Sequence, residues 1–155
     1  GQSARYTHTR VGVGGRMDTL QCAIVLAKLG RLDWELQRRR EIGAEYHRRL
    51  APLNLTTLAV RPDRDSVWGQ YTVRVAERAR VQALLAEAGV PTAVHYPKPL
   101  HRQPAYEKYG DPASCPLAIA AADEVMSLPM SADLSAADMD RVVAALAAAV
   151  GPRTS

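Results

Sequence analysis

Cysteine is scarce. Cys22 and Cys115 are the only two in 155 residues, far apart and without CxxC spacing, and two thiols cannot build a metal framework by themselves. A reducing cytoplasm is the compartment expected. Long apolar runs are missing too: Asp123, Glu124, Asp138 and Arg141 break the alanine-rich stretches, and nothing approaches the roughly 18 residues that a membrane span needs. No membrane partner is expected. Residues 1–10 are polar and basic with no apolar h-region, so no secretory signal is visible; a start at Gly1 reads as a truncated or processed chain. Lysine is rare as well. Lys28, Lys98 and Lys108 are the only ones, and a Schiff-base role needs a lysine desolvated in a cofactor pocket. Lys28 lies on an apolar helix, where its stem would snorkel. No internal repeat or flexible linker is present.

What remains is ordinary for a globular chain, with 47% hydrophobic and 23% charged residues, and the length suits one domain. A net charge of +4 and a pI near 9.3 permit an anionic partner without choosing one. The run Arg38-Arg39-Arg40 invites a nucleic-acid reading, but Glu35, Glu41 and Glu45 are interleaved with it. Glu35 with Arg39 and Glu45 with Arg49 have the i,i+4 spacing of intrahelical pairs, each contributing about 0.2–0.5 kcal/mol. A solvated helix face is expected, and no nucleic-acid partner.

Hydrophobic spacing predicts a buried helix over Met17 to Leu29 and a second over Leu32 to Leu50, which Pro52 ends. Between Leu53 and Val60, and again from Gly69 to Val75, the period changes to that of strands. A helix over Ala79 to Ala88 is closed by Gly89 at a left-handed cap. Pro91 opens a further strand through His95, giving a small α/β unit with a helix across a sheet. Lys98 to Pro112 is proline-rich and reads as an ordered loop. Helices follow over Cys115 to Val125 and from Ser135, with Asp138 at capping-box spacing, to Gly151. Cys22 and Cys115 read as small buried hydrophobes.

The chemistry-bearing stretch is His95-Tyr96-Pro97-Lys98-Pro99-Leu100-His101. A strand runs there into a proline-stiffened loop, so little ordering entropy is lost when an oxygen-rich ligand binds. By residue type alone, His95 and Tyr96 read more readily as packing on opposite faces of a strand. His95 and His101 lack helical spacing and nearby acidic or thiol ligands, so no metal site is expected. A glycine-rich turn, Gly12-Val13-Gly14-Gly15, delivers Arg16 to a helix start; its amides could hold an anion, but it matches no phosphate-binding fingerprint.

Arg5-Tyr6-x-His8, Gly12-x-Gly14-x-Arg16-Met17-Asp18-Thr19-Leu20-Gln21, Trp68 to Val75, Gly89-Val90-Pro91-Thr92 through Tyr106, and Ser127-Leu128-Pro129-Met130 occur in this order. Together they resemble the C-terminal part of DegT/StrS-family nucleotide-sugar aminotransferases, most closely UDP-hexuluronate 3-aminotransferases. The resemblance implies an α/β (α+β) small domain of the type I PLP-enzyme fold, with a small, mainly antiparallel sheet packed by helices. Residues 1–30 would form an interface loop and helix leading from a large domain, 31–151 the small domain, and 152–155 a tail. It implies pyridoxal 5'-phosphate, a homodimer, glutamate as amino donor, and a keto nucleotide-sugar acceptor, UDP-linked and serving surface polysaccharide synthesis. The Schiff-base lysine would lie upstream, so this chain would be inactive alone. Arg16 would reach across the dimer toward the sugar nucleotide, pairing with a uronate carboxylate, while His95 and Tyr96 would contact the sugar. The family carries asparagine where Gly14 stands; glycine keeps only a backbone N–H for the cofactor phosphate.

Two other functions fit parts of this pattern. A histidine in place of the upstream lysine would make the parent a sugar dehydratase of the same family. A stand-alone α/β ligand-binding or regulatory module over Gly69 to His95 needs no cofactor at all.

Overall fold

A computed structural model describes residues 1–111 and 113–152; Pro112, the last residue of the expected loop, and 153–155 of the expected tail lie outside the described residues. A short hairpin of β1 (Gln2–Ala4) and β2 (Thr7–His8) precedes helices α1 (Thr19–Leu29) and α2 (Leu32–Leu50). Then come β3 (Thr56–Thr57), β4 (Tyr71–Arg74), α3 (Arg78–Glu87), two 3-10 turns (Leu100–Arg102, Pro104–Tyr109), α4 (Pro116–Glu124), β5 (Val125–Leu128) and α5 (Ala136–Val150).

The chain's main sheet is antiparallel in the order β3-β4-β5. Tyr71 pairs with Leu128, Thr72 with Ser127 and Val73 with Met126. Side chains alternate across a strand, so Tyr71, Val73, Met126 and Leu128 enter one core with Tyr46 and Leu50 of α2, Val81 and Leu85 of α3, and Val142 and Leu146 of α5. Each large apolar side chain so buried stabilises the fold by about 1.5–3 kcal/mol. Tyr46 packs on Tyr71 at 4.7 Å between ring centroids and donates to the Pro129 carbonyl at 2.8 Å. Burial pushes both phenols above their ordinary range. Gly43 of α2 is where the Trp68 indole comes closest: a Cβ there would sit 2.4 Å from Nε1. Helix and ring can meet only because no side chain intervenes.

Several expectations are corrected. α1 begins at Thr19 rather than Met17 because Asp18 caps it, accepting from the Gln21 amide at 2.8 Å while Gln21 reaches back to the Asp18 amide. It is not buried: none of its residues is, and Leu20 is 77% exposed. The core forms elsewhere, and among the described residues no layer covers α1. The expected strand over Pro91 to His95 is a single bridge, Ala93 to Ser127. Of the expected strand Leu53 to Val60 only Thr56–Thr57 forms, Leu53 making an isolated bridge to Pro152. The proline-rich loop winds into its two 3-10 turns, with Pro99 preceding the first and Pro104 opening the second. Val125 leaves its expected helix for β5. Cys22 is half-buried and Cys115 exposed.

The α2 ion pairs are repartnered: Glu35 faces Arg31 at 3.9 Å, and Arg39 donates to the Trp68 carbonyl at 3.1 Å. Glu45 does pair with Arg49, and with Arg48 as well. α2 itself keeps its expected bounds, Gly89 and Gly151 both have φ of +72°, and Ser135 caps α5 by accepting from the Asp138 amide at 3.1 Å.

Candidate functional site

The site lies on the sheet face that the core does not use. Thr72 and Ser127 are directly opposed partners on that face, their hydroxyls 3.0 Å apart. Ser127 is 5% exposed. Its backbone exchanges two hydrogen bonds with Ala93, at 3.1 and 2.7 Å, which lays residues 93–95 along the edge of β5. His95 therefore falls over Ser127, with Nδ1 3.0 Å from its hydroxyl. Tyr96, 62% exposed, follows across a cis peptide and sets its ring edge-on to those of His95 and Tyr6, at 5.7 and 5.6 Å.

Gln103, 5% exposed, joins the hairpin to this loop. Its side-chain amide donates to the Tyr6 carbonyl and accepts from the His8 amide, both at 3.0 Å. The opposite wall is α4, whose small residues Ala118, Ala121 and Ala122 leave room. Arg78 secures that wall's C-terminal end by donating to the Ala122 carbonyl and, at 3.3 Å, to that of Val125, where a cation complements the helix dipole. The resulting cleft has a volume of about 560 Å³. Lys98 and three histidines, His8, His95 and His101, reach it, and no carboxylate lines it, so its electrostatics favour an anionic, oxygen-rich ligand.

His95 and Tyr96 thus share one cleft. Arg16 and Gly14 do not line it: both lie exposed in the irregular segment before α1, and a Cβ on Gly14 would meet nothing within 4 Å. Among the described residues no three metal-ligating side chains cluster, and no helix is long and apolar enough to cross a membrane. Sequence reasoning did not single out Tyr6, His8, Gln103, Ser127 or Thr72 as site residues. Tyr6 sits in the hairpin turn with φ of 62° and His8 in β2, so no single periodicity marks them, and the hydroxyl pair carries no local signal either.

The fold places the chain in the class of type I PLP enzymes, as a small α/β domain of that architecture. Residues 1–147 match the DegT/DnrJ/EryC1/StrS aminotransferase family model, and the chain belongs to that family. It is 47% identical over 146 residues to the UDP-2-acetamido-2-deoxy-3-oxo-D-glucuronate aminotransferase of Pseudomonas aeruginosa, with 94% of this chain and 40% of that protein covered. A DegT DnrJ EryC1 StrS aminotransferase from Brucella abortus superposes with a TM-score of 0.81 at 31% identity, covering 96% of this chain and 40% of that one. The sugar aminotransferase Spr1654 of Streptococcus pneumoniae, in its PLP form, gives 0.75 at 28% identity, covering 84% and 35%. The chain spans about 40% of the length of the curated relatives it matches.

The family's cofactor is pyridoxal phosphate. The residues of this cleft do not hold it unaided: no carboxylate is present to pair with a pyridine nitrogen, and Gly14 offers only its backbone. The donors that are present suit the substrate side of such a site.

Proposed function

We propose that this chain supplies the sugar-binding wall of a PLP-dependent aminotransferase that moves an amino group from glutamate to a keto nucleotide-sugar. The acceptor is UDP-linked, made for surface polysaccharide in the cytoplasm. The observation that carries the reading is the acid-free cleft with His95 and Tyr96 at its rim, in a chain 47% identical to a UDP-sugar aminotransferase. The two rings hydrogen-bond and pack on the sugar. Arg16, on its exposed segment, reaches a uronate carboxylate or diphosphate of the neighbouring subunit's substrate, which makes the working unit a homodimer.

Residues 1–30 serve as the interface element, and the apolar surface of α1 is covered by a large domain or second subunit. Residues 31–151 form the small domain. The electron sink is the cofactor; the residues of this chain bind and orient. Lys28 is exposed and the Lys108 ammonium lies over the Tyr109 ring at 4.8 Å, so neither stands in a desolvated pocket. Lys98 lines the cleft as a counter-charge to the diphosphate. The chain by itself is expected to show no transamination.

The test is amino transfer by the intact protein from glutamate to the UDP-linked 3-keto uronate, followed by chromatography of the amino sugar. His95→Ala should raise the nucleotide-sugar KM about tenfold while leaving the glutamate half-reaction within a factor of two, since one hydrogen bond to the nucleotide-sugar is removed. An unchanged KM, or turnover by this chain alone, defeats the reading.

A further inference from the structure

We infer that Ser127 and Thr72 are positioning residues for His95, a hydroxyl pair that holds its ring and decides which ring nitrogen donates into the cleft. The inference deepens the proposed function and rests on His95 being a substrate contact.

The pair is built into the sheet. Thr72 and Ser127 are register partners on adjacent strands, so their separation is set by the β4–β5 ladder rather than by loop geometry. The Ala93 bridge fixes the backbone two residues before His95 against the same Ser127. One residue therefore anchors both the main chain that delivers the ring and the ring itself. The contacts run Thr72 Oγ1, Ser127 Oγ, His95 Nδ1, each step 3.0 Å.

Proton bookkeeping gives the direction. Thr72 Oγ1 makes no other hydrogen bond among the described residues. If Nδ1 carried the proton and donated to Ser127, one of the two hydroxyl hydrogens would be left without an acceptor among the described residues. In the reverse arrangement Thr72 donates to Ser127 and Ser127 donates to Nδ1, and every hydrogen in the chain is used. Neutral His95 is then the Nε2–H tautomer, with Nδ1 occupied.

His95 also lines a second cleft of about 290 Å³ together with Ser127, Thr92 and Pro129, so the one residue borders both cavities. Among the described residues Ser127 is the ring's one hydrogen-bond partner, and Nε2–H is left as a donor for a sugar hydroxyl, carboxylate or phosphate oxygen. A carboxylate at Nδ1 would hold the ring as a cation; two hydroxyls orient it without adding charge.

The experiment uses the intact protein with histidine rings labelled with 13C and 15N, and UDP-N-acetylglucosamine as a probe that has no keto group and only binds. The ring signal that His95→Gln removes is the one that belongs to His95. In the unaltered protein, His95 should show the Nε2–H tautomer. Ser127→Ala should release it toward a tautomer mixture and weaken probe binding by about two- to tenfold, the range spanned by one hydrogen bond. Thr72→Val, which keeps the branched shape, should move both readouts in the same direction by less, and Ser127→Thr should restore them. If Ser127→Ala changes melting temperature alone, leaving ring spectrum and affinity as they were, the pair is merely structural and the inference is overturned. If the ring responds but neither Ser127→Ala nor His95→Gln alters affinity, the seat stands and it is the substrate contact of His95 that fails.

Discussion

The two faces of the β4–β5 pair carry the same backbone and opposite duties. On one, Tyr71, Val73, Met126 and Leu128 are at most 4% exposed and join side chains from three helices. On the other, Thr72 and Ser127 join hydroxyls beneath His95, and the space beyond is a cleft. A half-covered antiparallel sheet commonly alternates this way. On the proposed function, stability and recognition are drawn from residues one position apart in sequence, so each should be alterable with little cost to the other.

The sharpest way to break that separation is on the packed side. Leu146 of α5 is fully buried in the shared core. Leu146→Ala should cost about 2–5 kcal/mol, the transfer loss plus the cavity it leaves, read from urea unfolding of the intact protein. Nucleotide-sugar affinity of the fraction still folded should stay within about a factor of two. If affinity instead fell in step with stability, the two faces would be one cooperative unit and the separation would be wrong.

A smaller effect is expected at Gly43. Helix propensity alone favours alanine there by about 1 kcal/mol. The Trp68 indole opposes it, with three of its atoms within 2.9 Å of the added Cβ. Trp68 is 9% exposed and stacked at 5.0 Å on Tyr71, so it has little room to yield, and overpacking of this kind costs about 1–3 kcal/mol. Gly43→Ala should therefore lower the melting temperature despite the better helix former. A raised melting temperature would mean that the aromatic cluster behind the sheet is looser than its geometry indicates.

How much of this was legible in the sequence depended on range. α2 is readable to the residue because a 3.6-residue apolar period is local information, and the capped start of α5 at Ser135 is local too. The strand expected over Pro91 to His95 is not, since its β-branched composition is the same whether or not a neighbour pairs with it. Only Ala93 finds one, and that neighbour is 34 residues on in β5. α1 misled for a related reason: Met17, Leu20, Ile24 and Leu29 predict a buried helix, but what buries a helix is a second layer, and the described residues provide none. At the site, His95 and Tyr96 read by residue type alone as packing on a strand, and it is the family resemblance that marks them as sugar contacts. Nothing comparable marks Ser127 and Thr72, because a serine and a threonine in strands are unremarkable until the register sets them opposite each other.

The weakest expected effect lies farthest from the sheet, on the charged side of α2, and it sharpens the comparison by adding a surface that serves neither duty. Glu45 accepts from Arg48 at 2.6 Å and from Arg49 at 2.5 Å, and Arg49 continues to Asp140 of α5 at 2.5 Å. Hydrogen bonds from the two guanidinium groups lower the Glu45 carboxyl from 4.5 to about 2. A carboxylate depressed on folding contributes stability that is fully present above its unfolded value and disappears as pH falls through its folded one. The contribution is therefore intact above about pH 4.5 and gone near pH 2. Because the group is half-open to solvent, water and salt screen it and the effect is small. The measurement is the melting-temperature difference between the unaltered protein and Glu45→Gln, followed from pH 6 to pH 2 at low salt. It should shrink across that window and shrink further on adding salt, whereas a difference independent of both would show that Glu45 acts through packing of its stem against α2 rather than through its charge.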